Sequence, residues 1–245
     1  MNVVIKTGIK NLDEMLGGGM LDDSVVLIIY DTYSLGWSLA IELFKSFLGR
    51  DCFGVVTSYS LPLSMLEKYA DMLGFDIEGQ GEMSNLVVLD IFGAVNGIPP
   101  TRPFVRSPGS VDSSTFLPKV SALYYEILRD AGNRKPIGLT VALDGFATMF
   151  GEDSAMKLFQ RNIAMKEMAR ASEDRPRPIN LMLLNKDRVS KRFLSWISHY
   201  SEHIIEFEPT DVPGRENLLV RKSLLPDFEP GIAEFMFSRG KVKVV

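Results

Sequence analysis

The sequence has little with which to hold a metal or close a disulfide. Its 245 residues include one cysteine, Cys52, and two histidines, His199 and His203. A single thiol excludes an intrachain disulfide and any zinc site built on clustered cysteines. Cys52 precedes an apolar run and reads as a small buried hydrophobe. The histidines are spaced i, i+4, as in a two-histidine clamp on a helix face, but Glu202 between them is out of the H-E-x-x-H order. With no third ligand in view, neither metal nor cofactor is expected. Glutamine is scarce too, only Gln80 and Gln160, a weak sign of a hot environment. No apolar run reaches the roughly 18 residues that span a bilayer. The opening Met1-Asn2-Val3-Val4-Ile5-Lys6 lacks a signal peptide's cleavage region, so a cytoplasmic protein without membrane contact is expected. Positive charge is not in excess: 27 basic residues against 31 acidic give a net charge of −4. Binding to nucleic acid would need a local patch. Repeats and low-complexity tracts are absent.

What is present is ordinary globular material, 46% hydrophobic and 24% charged, enough for one α/β domain with a full core. Ser24–Tyr30 is short, β-branched and continuously apolar, the pattern of a buried parallel strand. The period then changes: Leu35, Leu39, Leu43 and Phe47 recur every four residues, with Ser34 placed to cap a helix. The alternation continues with strand 53–57, helix 63–73 closed by Gly74, strand 86–91 and helix 116–130 closed by Gly132. It ends with strand 138–143, helix 154–171 and strand 180–184. Such alternation implies a mostly parallel sheet with helices on both faces. Segments 204–207, 216–222, 233–237 and 241–245 read as short strands of an antiparallel extension. One domain is expected over 1–245, with a core at 20–200 and the extension at 201–245. Gly93–Ser114, rich in Pro, Gly and Ser and carrying Arg102 and Arg106, reads as a long loop.

Thr7-Gly8-Ile9-Lys10-Asn11-Leu12-Asp13-Glu14-Met15-Leu16-Gly17-Gly18-Gly19-Met20 resembles the T-G-[I/V]-x-x-L-D-x-x-L-G-G-G-[I/L] opening of KaiC-like and RadA-like proteins. The strand, loop and helix that follow stand where those proteins keep theirs. Val141-Ala142-Leu143-Asp144 is similar to a Walker B strand, and Leu219-Val220-Arg221-Lys222 to the strand before KaiC's K-x-R-G segment. The resemblance covers nearly the whole chain, least well in the 93–114 loop. It implies a RecA-like P-loop NTPase fold of the archaeal single-domain type.

It also implies a nucleotide site, and there the residues depart from the pattern. A Walker A loop, G-x-x-x-x-G-K-[ST], cradles phosphates on backbone amides, neutralises them with Lys and holds magnesium with the hydroxyl. The matching segment is Tyr30-Asp31-Thr32-Tyr33-Ser34-Leu35-Gly36-Trp37. Tyr30 and Leu35 stand for the glycines, Gly36 for the lysine and Trp37 for the hydroxyl. Tyr59 and Ser60 stand where KaiC-like proteins keep the glutamates that polarise the attacking water, and neither is a carboxylate base. Asp144 and Lys222 keep the Walker B and inter-subunit positions, although each also reads as a relic with a purely structural role.

A non-catalytic domain is therefore expected, a pseudo-ATPase acting as a regulatory or accessory subunit through a protein or peptide partner, a family paralogue or a second copy included. The rings of Tyr30, Tyr33, Trp37 and Tyr59, with Leu35, form either a contact surface or a plug in the vacated pocket. Two alternatives stay open. Lys186, Arg188, Lys191 and Arg192, with Phe193 and Trp196 close behind, could grip single-stranded nucleic acid weakly. A residual, atypical ATPase is the other. Met156, Met165 and Met168, with Met65 and Met72, suit a core or an adaptable contact face. Serine elbow, paired carboxylates and dinucleotide fingerprint are absent, and Gly17-Gly18-Gly19 precedes a strand rather than following one.

Overall fold

The computed structural model describes residues 3–172 and 176–245. Along the chain the elements are β1 (Val4–Ile5), α1 (Lys10–Met15), β2 (Met20–Leu21), β3 (Val25–Tyr30), α2 (Trp37–Leu48), β4 (Phe53–Ser58), α3 (Leu63–Asp71), α4 (Ile77–Glu82), β5 (Leu86–Asp90) and α5 (Ile91–Asn96). They continue with β6 (Val105–Arg106), α6 (Phe116–Ala131), β7 (Pro136–Val141), α7 (Leu143–Phe150), α8 (Glu152–Ser172), β8 (Ile179–Asn185), α9 (Lys191–His199), β9 (His203–Pro209), β10 (Arg215–Lys222), β11 (Gly231–Ser238) and β12 (Lys241–Val244). Ten strands form one sheet in the order β12-β11-β10-β9-β3-β8-β7-β4-β5-β6. From β9 to β6 every pairing is parallel, and β10, β11 and β12 add on antiparallel. The expected mixed sheet is present, but the antiparallel part begins one strand later than expected, because β9 pairs parallel with β3.

The central strands are apolar on both faces because both are covered. One face packs α1 to α4 through Leu12, Leu39, Phe44, Phe47 and Leu66. The other packs α7, α8 and α9 through Phe146, Leu158 and Phe193. β3 and its successor β4 are separated by β8 and β7, so the connection through α2 crosses over the sheet. That crossing opens a crevice at the carboxyl ends of the strands.

Several sequence expectations need correction. The 93–114 stretch is not one long loop. It begins inside α5, which Asp90 caps by accepting from the Gly93 amide at 2.7 Å, and its later part pairs as β6 on the sheet edge. The same signal, Asp76 accepting from the Gly79 amide, starts α4, which hydrophobic periodicity alone does not reveal. Ser34 is not a helix cap: α2 starts at Trp37 and its N-cap, Gly36, has no side chain to bond with. Asp144 does not end a strand. β7 stops at Val141, Ala142 turns to φ 56°, and Asp144 lies in the first turn of α7. The basic segment 186–192 is not a free loop either. Lys186–Arg188 is a 3-10 turn, and Lys191 and Arg192 form the first turn of α9, where Ser190 accepts from the Phe193 amide. His199 ends α9 and His203 starts β9, so the two do not share a helix face.

Candidate functional site: the loop between β3 and α2

A phosphate cradle works because a run of loop amides points at a vacant space. Here the amides are occupied from within the chain. Thr32 donates to Asp187 Oδ2 at 2.8 Å, Tyr33 to Asp31 Oδ1 at 3.0 Å and Leu35 to Glu216 Oε1 at 2.7 Å. Ser34 donates its amide to the Asp31 carbonyl, and Gly36 donates to Ser34 Oγ at 2.9 Å. The Ser34 hydroxyl in turn donates to the second oxygen of Glu216. Three carboxylates thus hold a loop that in a nucleotide site would meet phosphate oxygens. Burial pushes Glu216 above the usual carboxylate range, against the lowering effect of the Ser34 and Leu35 bonds, and Asp31 pushes it further.

Gly36 is fixed by its neighbour. A Cβ there would lie 2.3 Å from the ring of Phe207, which is fully buried on β9. The lysine position therefore faces an aromatic wall in place of a pocket for a long side chain. Beside the loop, the Asp144 side chain is 0% exposed and Arg188 Nη1 sits 2.8 Å from its Oδ2, an ion pair off the hydrogen-bond direction. The other oxygen accepts from the Asn185 amide at 3.3 Å. Burial raises the Asp144 carboxyl's pKa and Arg188 opposes that rise. Burial, then the charge of Asp144, also pushes the Tyr30 phenol up.

The other sequence candidates fall into two groups. Trp37 is half-buried, 4.7 Å from Tyr69 and 6.4 Å from Phe237 between ring centroids, on the α2 side of the sheet. Tyr59 packs against Phe116 and Phe146 on the other side. The aromatic cluster is therefore split by the sheet, with Tyr33 standing alone at 95% exposure. Leu35 is half-buried against the α2-side core. Among the cations, Lys186 pairs with Glu206 at 3.0 Å, Arg188 with Asp144 and Arg192 with Asp153 at 3.0 Å. Only Lys191 of the four carries no partner among the described residues. Lys222 Nζ meets the carbonyls of Ser198 and His199 at 3.3 and 3.4 Å, at the C-terminal end of α9 in its own chain. A cation there is favoured by the helix dipole.

Sequence reasoning missed Glu216, Asp187 and Phe207, the three residues that close the loop. Glu216 lies about 180 positions away from the loop it caps, and no local spacing announces such a partner. His203 has a structural place. It is buried, accepts the Leu21 amide on Nε2 at 2.9 Å and meets Ser223 Oγ on Nδ1 at 3.1 Å. Burial lowers its pKa to about 4, so it stays neutral and ties β2 to the end of β10. Among the described residues there is no cluster of metal-ligating side chains, and no helix is long and apolar enough to cross a membrane.

With this geometry in place the solved structures can be compared. The uncharacterized protein PH0321 from Pyrococcus horikoshii, solved in complex with an unknown peptide, superposes with a TM-score of 0.85 at 21% identity, covering 98% of each chain. The KaiC-like protein PH0186 from Pyrococcus horikoshii OT3 gives 0.73 at 16% identity over 100% of each chain. The fold is RecA/KaiC-like. No protein-family model and no curated protein matches the sequence. The RecA/KaiC-like topology puts the loop between β3 and α2 at the place where the crossover opens the crevice.

Proposed function

We propose that this protein is a RecA/KaiC-like domain that has left nucleotide chemistry and acts by binding a protein or peptide, as a regulatory or accessory subunit. One observation carries the reading: every loop amide from Thr32 to Gly36 already has an acceptor in the chain, three of them on carboxylates. ATP in the usual pose would have to displace Glu216 and Asp187 and then sit beside their charge. Phe207 against Gly36 leaves no lysine to offset it. A peptide-bound structural neighbour supports the second half of the reading. The exposed ring of Tyr33 offers an aromatic anchor of the type enriched at binding hot spots. Nothing favours the single-stranded nucleic-acid reading as strongly, since three of the four cations it needs are already paired.

The test has two arms. A ligand at a hundred times its Kd stabilises a fold by about 2.7 kcal/mol, so melting curves with Mg-ATP should stay unmoved and no phosphate should be released. Peptides selected from a display library should then bind wild type and lose binding to Tyr33→Ala. A magnesium-dependent shift that Asp144→Ala abolishes would overturn the first half. Retention of every selected peptide by Tyr33→Ala would remove Tyr33 as the contact.

A further inference from the structure

On the face of the sheet away from α2, between α6 and α8, lies a cavity of about 190 Å³. It is independent of the loop described above. α6 is fully buried only towards its two ends, at Phe116 on one side and at Ile127 and Ala131 on the other. Between those anchors Leu117, Val120 and Tyr124 roof the cavity, while β4, β7 and β8 form its floor.

The floor is unusual for central parallel strands, which are normally apolar throughout. Thr57 and Thr140 stand side by side in register on β4 and β7, and Asn180 lies one pair further down on β8, opposite Gly138. Gly138 makes room for that amide: a Cβ there would lie 2.5 Å from Asn180 Oδ1. The side chains of Thr57, Thr140 and Asn180 make no hydrogen bond among the described residues. All three are half-buried in the cavity wall, so their polar atoms are open to a ligand. A further polar group waits at the mouth. Lys166 of α8 lines the cavity half-buried and makes no hydrogen bond or ion pair among the described residues, whereas its neighbour Arg170 is paired with Asp23. At the far end Phe116, Phe146 and Tyr59 form a ring-lined wall with centroids 5.0 to 6.3 Å apart.

The geometry points to a binding site for a small carboxylate with an apolar or aromatic body: the carboxylate on Lys166, a polar middle over Thr140 and Asn180, and the body against Phe116 and Phe146. Size fits, since an apolar cavity of about 150 Å³ holds benzene. Charge fits as well. Burial holds the Lys166 ammonium below the usual lysine range, with Arg170 adding to that and Asp23 and Glu202 opposing it. An incoming anion supplies a partner to an ammonium that has none among the described residues.

The probe is 4-phenylbutanoate, with 4-phenylbutan-1-ol as its uncharged match, titrated by calorimetry and melting curves. The acid is expected to bind saturably and at least ten times more tightly than the alcohol. Lys166→Met should bring the acid down to the alcohol's affinity and leave the alcohol unchanged. Val120→Phe fills the roof and should abolish binding of both while the melting temperature holds or rises. The inference is overturned if neither probe binds saturably, if acid and alcohol bind alike, if Lys166→Met leaves the acid's affinity intact, or if Val120→Phe folds and still binds both.

Discussion

The loop between β3 and α2 and the cavity under α6 are opposites. In the loop, where the fold leads one to look for a ligand, the backbone amides from Thr32 to Gly36 are matched to carboxylates and other acceptors within the chain. In the cavity, which no sequence motif marks, the side chains of two threonines, an asparagine and a lysine make no hydrogen bond or ion pair among the described residues. Position in a fold family's usual crevice does not by itself make a live site, and polar groups left open to a ligand are a second guide. Under the proposed reading, a loop whose donors are all taken offers no free amide to a phosphate.

The largest expected effect tests what both regions share, the sheet itself. His203 is neutral when folded, with its pKa lowered to about 4 from a reference of 6.5. The unfolded chain therefore binds the extra proton first, so this contribution is complete above pH 6.5 and is lost as pH falls through 4. That difference corresponds to about 3 kcal/mol. Urea midpoints of wild type and His203→Gln across this range should show the steeper fall in wild type; parallel curves would contradict it.

Next comes the loop's buried charge. Arg188→Ala should cost about 2 kcal/mol at neutral pH, below the figure for a fully buried pair because Arg188 is 48% exposed. The sign of the pH dependence is fixed by Asp144. Its folded pKa is raised, so the ionised form is a burden that grows as pH rises through that pKa. The deficit of Arg188→Ala should accordingly shrink on acidification, and a deficit independent of pH would mean that the pair is not what holds the loop's edge. Gly36→Ala should cost about 1–2 kcal/mol through the Phe207 ring. Gly36→Lys should not restore a response to ATP.

The smallest effects give the sharpest contrast. Ser34→Ala removes a hydroxyl that both donates and accepts, and should cost about 1 kcal/mol. Thr140→Val removes a hydroxyl with no partner among the described residues and should be neutral within about 0.5 kcal/mol, or slightly stabilising. If thermal melts rank the two the other way, the contrast between a satisfied loop and an unsatisfied cavity does not hold.

Much of the architecture was legible in the sequence. Continuous apolar runs such as 24–30 marked buried parallel strands, and the T-G-I-K-N-L-D opening marked the fold. The candidate site was legible only as a set of substitutions at Tyr30, Leu35, Gly36 and Trp37. What those substitutions do to the site is hidden, because α2 carries Trp37 on one face of the sheet while Tyr59, just past the end of β4, packs on the other. Trp37 thereby joins Tyr69 and Phe237, and Tyr59 joins Phe116 and Phe146. The short capped helices were readable in principle, through Asp76 and Asp90 three residues ahead of a glycine.

By itself the sequence determined the parallel α/β layout, since strand and helix periods are local properties of the chain. It also determined the absence of a lysine and a hydroxyl at positions 36 and 37. Only the tertiary structure decided that Glu216 and Asp187 take the loop's amides, that Arg188 pairs with Asp144, and that Lys166 faces a cavity. The reason is that hydrogen-bond and ion-pair partners follow from which strands lie side by side. Here β9 and β10 extend the sheet beside β3, and β8 ends beside it, which brings residues about 155 to 180 positions apart within bonding distance of one loop.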